Sequence, residues 1–455
     1  MLHRKCPDIT FAEADAPRRI GLPSEFGTSG QMLNADFAFL QDSGSADRSH
    51  LLSERNYRKS VLTLFGTRPE VIKLAPVISQ LEQKSASIRT INVASGQHAG
   101  LLSSMVDLFR IRIDFDLRLM TWNQDPEALL NRIVQEVGRI LDLEHPSLIV
   151  VQGDTTTALA GALAGQQCGV PVAHVEAGLR SGNLLSPYPE EINRILITQM
   201  ATIHFAVTEA NRDSLMKERI SESAVLVTGN PIVDTLQMVL NETKHSLDCG
   251  LLHTIAGRKC IVLTTHRRES FGRTLRENLE VLRTFVRKHE DLILVFPVHP
   301  NPHVYLAARE ILGGHARIIL TDPQPYTDFL RLLSHCWLVV SDSGGVQEEV
   351  PSLGKPLLIL RTNTERPECI EAGLARLVGE RPEQLMALLE EAYQPNSWAN
   401  SVHKTVNPFG RGDSAERIVN GICSFLQKQP TRTSGLENGF LQFAPRVGSE
   451  SSSES

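Results

Sequence analysis

The chain has 455 residues, 41% hydrophobic and 22% charged, with a formal net charge of −6 at pH 7. That is enough chain for two domains with their own cores, and the wrong charge for a general nucleic-acid binder; an anionic ligand has to be held by local groups. The scattered cysteines form no C-x-x-C pair, no apolar run reaches the roughly 18 residues of a membrane span, and the first residues lack the apolar centre of a secretory signal, so the expectation is reduced thiols, no zinc or other metal, and a soluble cytoplasmic protein.

Residues 1–58 show no sustained hydrophobic period and are expected to be a disordered extension, as is the polar, Ser-rich end at 428–455. "SVLTLF" (60–65) reads as a buried strand. In the "GTRPEVIKLAPVISQLEQ" that follows, Val71, Leu74, Ala75 and Ile78 share one helix face, with Pro69 in the first turn and Pro76 placed to kink the helix. Four more strands, "SLIVVQ" (147–152), "VPVAHVE" (170–176), "IHFAVT" (203–208) and "AVLVTG" (224–229), alternate with helical stretches and complete a first unit over 59–234. The pattern loosens over 235–258, a predicted hinge. A second series, "CIVLTT" (260–265), "LILVFPV" (292–298), "RIILTD" (317–322), "WLVVSD" (337–342) and "PLLILR" (356–361), builds a second unit over 259–410. This alternation predicts an α/β fold: two Rossmann-like doubly wound domains, each a parallel sheet covered on both faces, facing each other across a cleft.

The unusual residues stand just past the strands. Arg68 follows the first, Asp154 the second, and Glu176 ends the third. In the second series His266, Arg267 and Arg268 follow 260–265, His299 follows 292–298, Ser343, Gly344 and Gly345 follow 337–342, and Arg366 follows 356–361. Ligands of open α/β sheets bind outside these carboxyl ends. In "SDSGGVQEE" two glycines open a helix, so its unpaired N–H groups can approach an anion. No G-x-G-x-x-G follows the first strand and no Walker sequence is present, which speaks against a nicotinamide enzyme. Asp154, Glu176 and Glu190 are the candidates for chemistry, because carboxylates on one rim can divide acid and base work when their surroundings separate their pKa values. Taken singly, each also reads as a helix cap, Asp154 for the helix at 155–166. His266 would protonate or neutralise a leaving phosphate.

The ordered motifs "FGTRPEVIKLAP", "GDTTT", "HVEAGLRSG", "SPYPEEINR", "TGNPIVD", "THRRESFG", "PVHPNP", "SDSGGVQEE", "LGKPLLILR" and "TERPE" together resemble the non-hydrolysing UDP-N-acetylglucosamine 2-epimerases, over about 60–426. The resemblance implies two Rossmann-like domains of the glycosyltransferase-B type, a last helix near 411–427 crossing back to the first domain, a homodimer, and no cofactor. It implies reversible C2 epimerisation of UDP-GlcNAc to UDP-ManNAc, by elimination of UDP to 2-acetamidoglucal and re-addition. By motif position Asp154, Glu176 and Glu190 match the catalytic acidic residues and His266 the histidine near the diphosphate. Arg68 and Lys73 match the basic residues of the first motif, with Arg180 and Arg194 on the sugar side. Ser343, Gly344 and Gly345 match the diphosphate cradle, Glu349 the carboxylate that holds the ribose hydroxyls, and Arg366 a substrate-side arginine. Gln97 and His98 match the allosteric motif, although Gly100 stands where the family's allosteric version has a polar side chain. Arg411, Asn363 and Asn183 also depart from the usual pattern and leave room for a modified sugar. A hydrolysing epimerase that releases ManNAc and UDP is the alternative enzyme. A glycosyltransferase leaves "GDTTT" and "HVEAGLRSG" unexplained, and a silent nucleotide-sugar binder has no use for three carboxylates beside an anion.

Overall fold

The computed structural model describes residues 59–96, 99–119, 125–185, 187–243, 250–267, 271–379 and 381–429. The expectations for the two ends, for Gln97 and His98, and for Arg268 lie outside the described residues.

Seven strands form the first sheet: β1 (Lys59–Phe65), β2 (Ile88–Ala94), β3 (Phe115–Asp116), β4 (Leu148–Gln152), β5 (Val172–Ala177), β6 (Ile203–Ala206) and β7 (Val225–Val227), in the order β3-β2-β1-β4-β5-β6-β7. Six form the second: β8 (Lys259–Thr264), β9 (Leu292–Pro297), β10 (Ile318–Thr321), β11 (Leu338–Ser341), β12 (Leu357–Ile359) and β13 (Ala375–Leu377), in the order β10-β9-β8-β11-β12-β13. The strands of both sheets pair in parallel. Such strands are buried on both faces, which is why Val61, Leu62, Leu64, Val150 and Val151 in one sheet, and Ile261, Val262, Leu338 and Val340 in the other, are sealed from solvent. The two sheets are the doubly wound α/β pair that the alternating pattern predicts, of the glycosyltransferase-B type. In each, the strand order reverses beside the first strand, between β1 and β4 and between β8 and β11. A crevice opens at that switch point, and the candidate residues stand there.

Three strands escaped the sequence reading. β2 interleaves Arg89, Thr90 and Asn92 with apolar residues, yet it lies inside the sheet. Asn92 is answered there: Thr63 donates to Asn92 Oδ1 at 2.8 Å and Asn92 Nδ2 donates to Arg112 O at 2.8 Å, while Arg112 donates to the Thr90 main-chain carbonyl at 2.8 Å. β3 and β13 are two and three residues long, too short for a periodic signal. The first helix, Arg68–Gln83, continues through Pro76 and buries Val71, Leu74, Ala75 and Ile78. The stretch 235–258 is largely helical rather than loose, since Pro231–Thr243 extends well into it and Gly250–Ile255 follows.

The last helix, Ser414–Lys428, packs on Arg68–Gln83 and Pro231–Thr243, both of the first unit, and buries Ile418, Val419, Ile422 and Leu426. Its first turn is closed by Asp234, whose carboxylate accepts from Ser414 N at 3.3 Å and Ala415 N at 3.0 Å. Among the described residues no helix is long and apolar enough to cross a membrane.

Candidate active site

The turn after β1 is built around Glu70. Three residues into its helix, Glu70 reaches back and accepts from Gly66 N (3.0 Å) and Thr67 N (2.7 Å), closing the helix start. Its other oxygen accepts from Thr155 Oγ1 at 2.7 Å, and that same hydroxyl accepts from Ala158 N at 3.0 Å. One buried carboxylate thus ties the turn after β1 to the turn after β4. Burial pushes Glu70 up to about 7, against the donors from Thr155, Thr67 and Gly66. Thr155, not Asp154, caps the helix Thr156–Gln167. The capping reading of Asp154 is therefore wrong, and its carboxylate is free for another partner. That partner is Arg194, whose Nε lies 2.8 Å from Asp154 Oδ2.

Glu176 occupies an irregular point. β5 and β6 pair with a register shift between Val175 and Ala177, leaving Glu176 as the extra residue, at φ +69°. A non-glycine residue in that region is strained, and such bulges re-aim a side chain. Here the carboxylate is 5% exposed and meets Lys73, Gln152 Nε2 at 3.2 Å and Asn230 Nδ2 at 3.3 Å. Burial raises its pKa, Lys73 opposes the rise, and the nearby Glu348 adds to it.

Beyond β5 the chain turns at Gly178, at φ +84°, where a Cβ would fall 2.2 Å from Asn211 O. The loop then folds over Glu191, which accepts from Ser181 N and Gly182 N at 3.0–3.1 Å. Glu191 also holds Arg194 at 2.5 Å, and Asn193 Nδ2 donates to Asp154 O at 2.8 Å. The helix Glu190–Met200 so carries the struts that orient Asp154. Glu190 opens that helix, and among the described residues its buried Oε2 has no hydrogen-bond partner. Arg180 turns elsewhere: it forms a bidentate pair with Glu218 at 2.7 and 2.9 Å and donates to Thr198 at 2.9 Å, bracing the loop base. His174 lies beneath the rim and contacts Gly153 O through Nε2 at 2.8 Å. Burial lowers its pKa to about 3, so the ring is neutral, with the proton on Nε2 facing that carbonyl.

The second unit adds further cations, Arg267 and Arg366, to Lys73 of the first. Fully buried Asp342 accepts from Thr265 Oγ1 (2.7 Å), His266 N (3.0 Å) and Arg267 N (3.1 Å), and its Oδ1 lies 3.4 Å from His266 Nδ1. The His266 ring stacks 5.9 Å from that of His299, whose pKa is lowered by burial and by His266. Ser343 N is held by Ser341 Oγ at 3.0 Å, and Gly344 and Gly345 lead into the helix Val346–Ser352. A Cβ on Gly344 would lie 3.2 Å from an Arg366 nitrogen and 3.8 Å from one of Arg267, so the bare backbone lets two guanidinium groups approach the turn. Arg366 itself binds Glu348 at 2.5 Å and Glu365 at 3.3 Å, and comes within 4.0 Å of Glu176.

Several of the residues read from the sequence therefore meet across the seam between the units. Lys73 of the first touches Glu176 and lies 2.8 Å from Glu348 of the second. Arg68 stacks 5.2 Å over the ring of Tyr326, whose hydroxyl donates to Glu349 at 3.0 Å. Burial raises the pKa of both Tyr326 and Glu349. Asp154 and Arg194 form a second group, and His266 stands with Asp342 in a third. Arg180 joins none of them. Glu70, Glu191, Tyr326, Asp342 and Glu348 were not singled out from the sequence, although each lies inside a quoted motif or, for Tyr326, at the start of a helix. Arg411, one of the departures, lines a cavity of roughly 340 Å³ with Thr208, Gly229 and Asn407, at the ends of β6 and β7.

Comparison with known proteins agrees with this architecture. Residues 80–423 match the family described as UDP-N-acetylglucosamine 2-epimerase. The UDP-N-acetylglucosamine 2-epimerase of Escherichia coli K12 is 39% identical over 368 residues, 80% of this chain and 98% of that one. Among solved structures, a putative UDP-N-acetylglucosamine 2-epimerase from Listeria monocytogenes superposes with a TM-score of 0.78 at 37% identity, covering 82% of this chain and 98% of that one. The UDP-GlcNAc 2-epimerase from Neisseria meningitidis, solved with UDP-GlcNAc bound, gives 0.75 at 36% identity, over 80% of this chain and 100% of that one. With a match over most of its length and relatives at this identity, the chain belongs to the UDP-N-acetylglucosamine 2-epimerase family.

Proposed function

We propose that the chain interconverts UDP-GlcNAc and UDP-ManNAc without releasing free sugar. The observation that carries this reading is the strained, buried carboxylate of Glu176, held between Lys73 and Arg366 at the seam, with Glu190 and Asp154 on the same first-unit rim. In the forward direction a carboxylate takes the C2 proton, the C1–O bond breaks, and UDP leaves with the bonding pair. The product is 2-acetamidoglucal. UDP then adds back at C1 while C2 receives a proton on the opposite face.

Two faces of one carbon need two proton carriers. Glu176 serves one face, and Glu190, whose buried Oε2 has no partner among the described residues, serves the other. Arg194 fixes the Asp154 carboxylate on the same rim, its Nε donating to Oδ2 at 2.8 Å. The departing diphosphate is met by the N–H groups of Gly344 and Gly345, by Arg366 and by His266, donors set in place before charge develops. Glu349 takes the ribose hydroxyls. Closure of 59–234 on 259–410 across the seam keeps water from the glucal and favours re-addition over hydrolysis. The same reading carries a homodimer acting in the cytoplasm, with no cofactor in the reaction.

Proton NMR of the purified protein with UDP-GlcNAc in D₂O tests it. Signals of UDP-ManNAc with deuterium at C2 and no free sugar are expected. Free ManNAc with UDP would refute the non-hydrolysing reaction, and an unchanged spectrum would refute the substrate.

A further inference from the structure

Glu348 has no task in the chemistry above, yet it is a carboxylate only 1% exposed, flanked on its short helix by Val346 and Val350. An ionised carboxylate costs several kcal/mol to bury unless it is paired. Both of its partners are shared with Glu176. Lys73 lies 2.8 Å from Glu348 Oε2 and also binds Glu176; Arg366 lies 2.5 Å from Glu348 Oε1 and 4.0 Å from Glu176. Two cations and two carboxylates thus close a square across the seam, Lys73 and Glu176 from the first unit, Glu348 and Arg366 from the second.

We propose that Glu348 is a positioning residue for the reaction: by binding Lys73 and Arg366 together, it sets a second carboxylate against the two cations that face Glu176, leaving Glu365 to answer Arg366 from its other side. This rests on the reading of Glu176 as a carrier of the C2 proton. The charged groups facing Glu176 are Lys73 from the helix Arg68–Gln83, Glu348 from Val346–Ser352 and Arg366 from the segment after β12; Gln152 and Asn230, past β4 and β7, are neutral amides. A carboxylate alone between two cations is a poor base, because both hold it in its charged form. Glu348 draws off part of that field. The two acids are accordingly driven apart: burial and Glu348 raise the pKa of Glu176, while Arg366 and Lys73 overcome the burial of Glu348 and lower its own. Glu348 stays ionised through the cycle and Glu176 trades the proton, a separation of roles by environment. The square also links chemistry to closure, since Glu348 reaches Lys73 only when the two units meet.

The test is Glu348→Gln, which keeps the shape and removes the charge. The acidic limb of kcat/KM against pH is expected to move to lower pH, because Glu176 then holds its proton less tightly, and kcat is expected to fall about tenfold as the base weakens. A residue that merely stabilised the fold would scale the profile down without moving the limb, so an unmoved limb, or one displaced to higher pH, overturns the proposal. Should Glu348→Gln fail to fold, Glu348→Asp keeps the charge and withdraws it by one methylene. A smaller displacement of the limb in the same direction is then expected, and none overturns it. A wild-type protein that leaves UDP-GlcNAc unchanged, or a Glu176→Gln protein that still exchanges C2 hydrogen, would instead bring down the reading of the site, and this inference with it.

Discussion

Replacing Thr155 by Val would keep the side-chain shape and remove one hydroxyl with two tasks. That hydroxyl caps the helix Thr156–Gln167 through Ala158 N and donates to the buried Glu70. Loss of such a cap costs about 1 kcal/mol. Loss of a hydrogen bond to a charged, buried partner costs about 1.5–3 kcal/mol, so the variant should be less stable by about 3 kcal/mol near neutral pH. The deficit should also depend on pH. The folded-state pKa of Glu70, about 7, lies above that of an exposed glutamate, so its contribution to stability is complete below about pH 4.5 and is lost as pH rises through about 7. Thr155 is the foremost of the groups pulling that value down. Without it Glu70 titrates higher still, and the loss continues over a wider range. Urea or thermal unfolding of both proteins at about pH 5.5 and about pH 8 would measure this, with the larger deficit at the higher pH. An equal deficit at both, or a larger one in acid, would refute the assignment of Thr155 as the foremost group opposing the rise in the Glu70 pKa.

Glu176→Gln should lower kcat by about a thousandfold or more and abolish deuterium uptake at C2, while UDP binding measured by calorimetry changes only a few-fold; retained exchange would exclude Glu176 from proton transfer. Gly344→Ala should weaken UDP binding about tenfold by crowding Arg366 away from the turn, with the melting temperature little changed, and undiminished UDP affinity would remove that turn from the diphosphate site.

The sequence carried the architecture wherever burial is uniform. Strands such as β4 and β11 are apolar up to their last residue, and the polar and charged residues at and past their ends mark the crevice without any coordinates. Reading failed where tertiary partners decide the outcome. β2 looks polar until Thr63 and the Arg112 carbonyl are seen to answer the Asn92 amide. Asp154 and Thr155 are both good caps in isolation, and only the position of Glu70 shows which one serves. Glu348 and Glu349 are neighbours in one motif, but adjacent helical residues point about 100° apart, so one meets Lys73 and the other Tyr326. Arg180 carries the right charge in the right loop, yet Glu218, distant in sequence, takes its guanidinium.

The closing helix sets the order of events during synthesis. Ile418, Val419, Ile422 and Leu426 belong to the same apolar cluster as Val61, Leu74 and Phe205, and Lys59 Nζ reaches Gln429 O at 3.1 Å. The first unit is therefore translated early but completed late. Roughly 185 residues separate the end of Pro231–Thr243 from the end of Ser414–Lys428, and at about 5–20 residues per second a ribosome needs on the order of 10–40 s to supply them. Through that interval Arg68–Gln83 and Pro231–Thr243 pack on each other but lack the cover of the last helix. A ribosome that stalls before residue 414 leaves a chain with both sheets encoded and the first core still open.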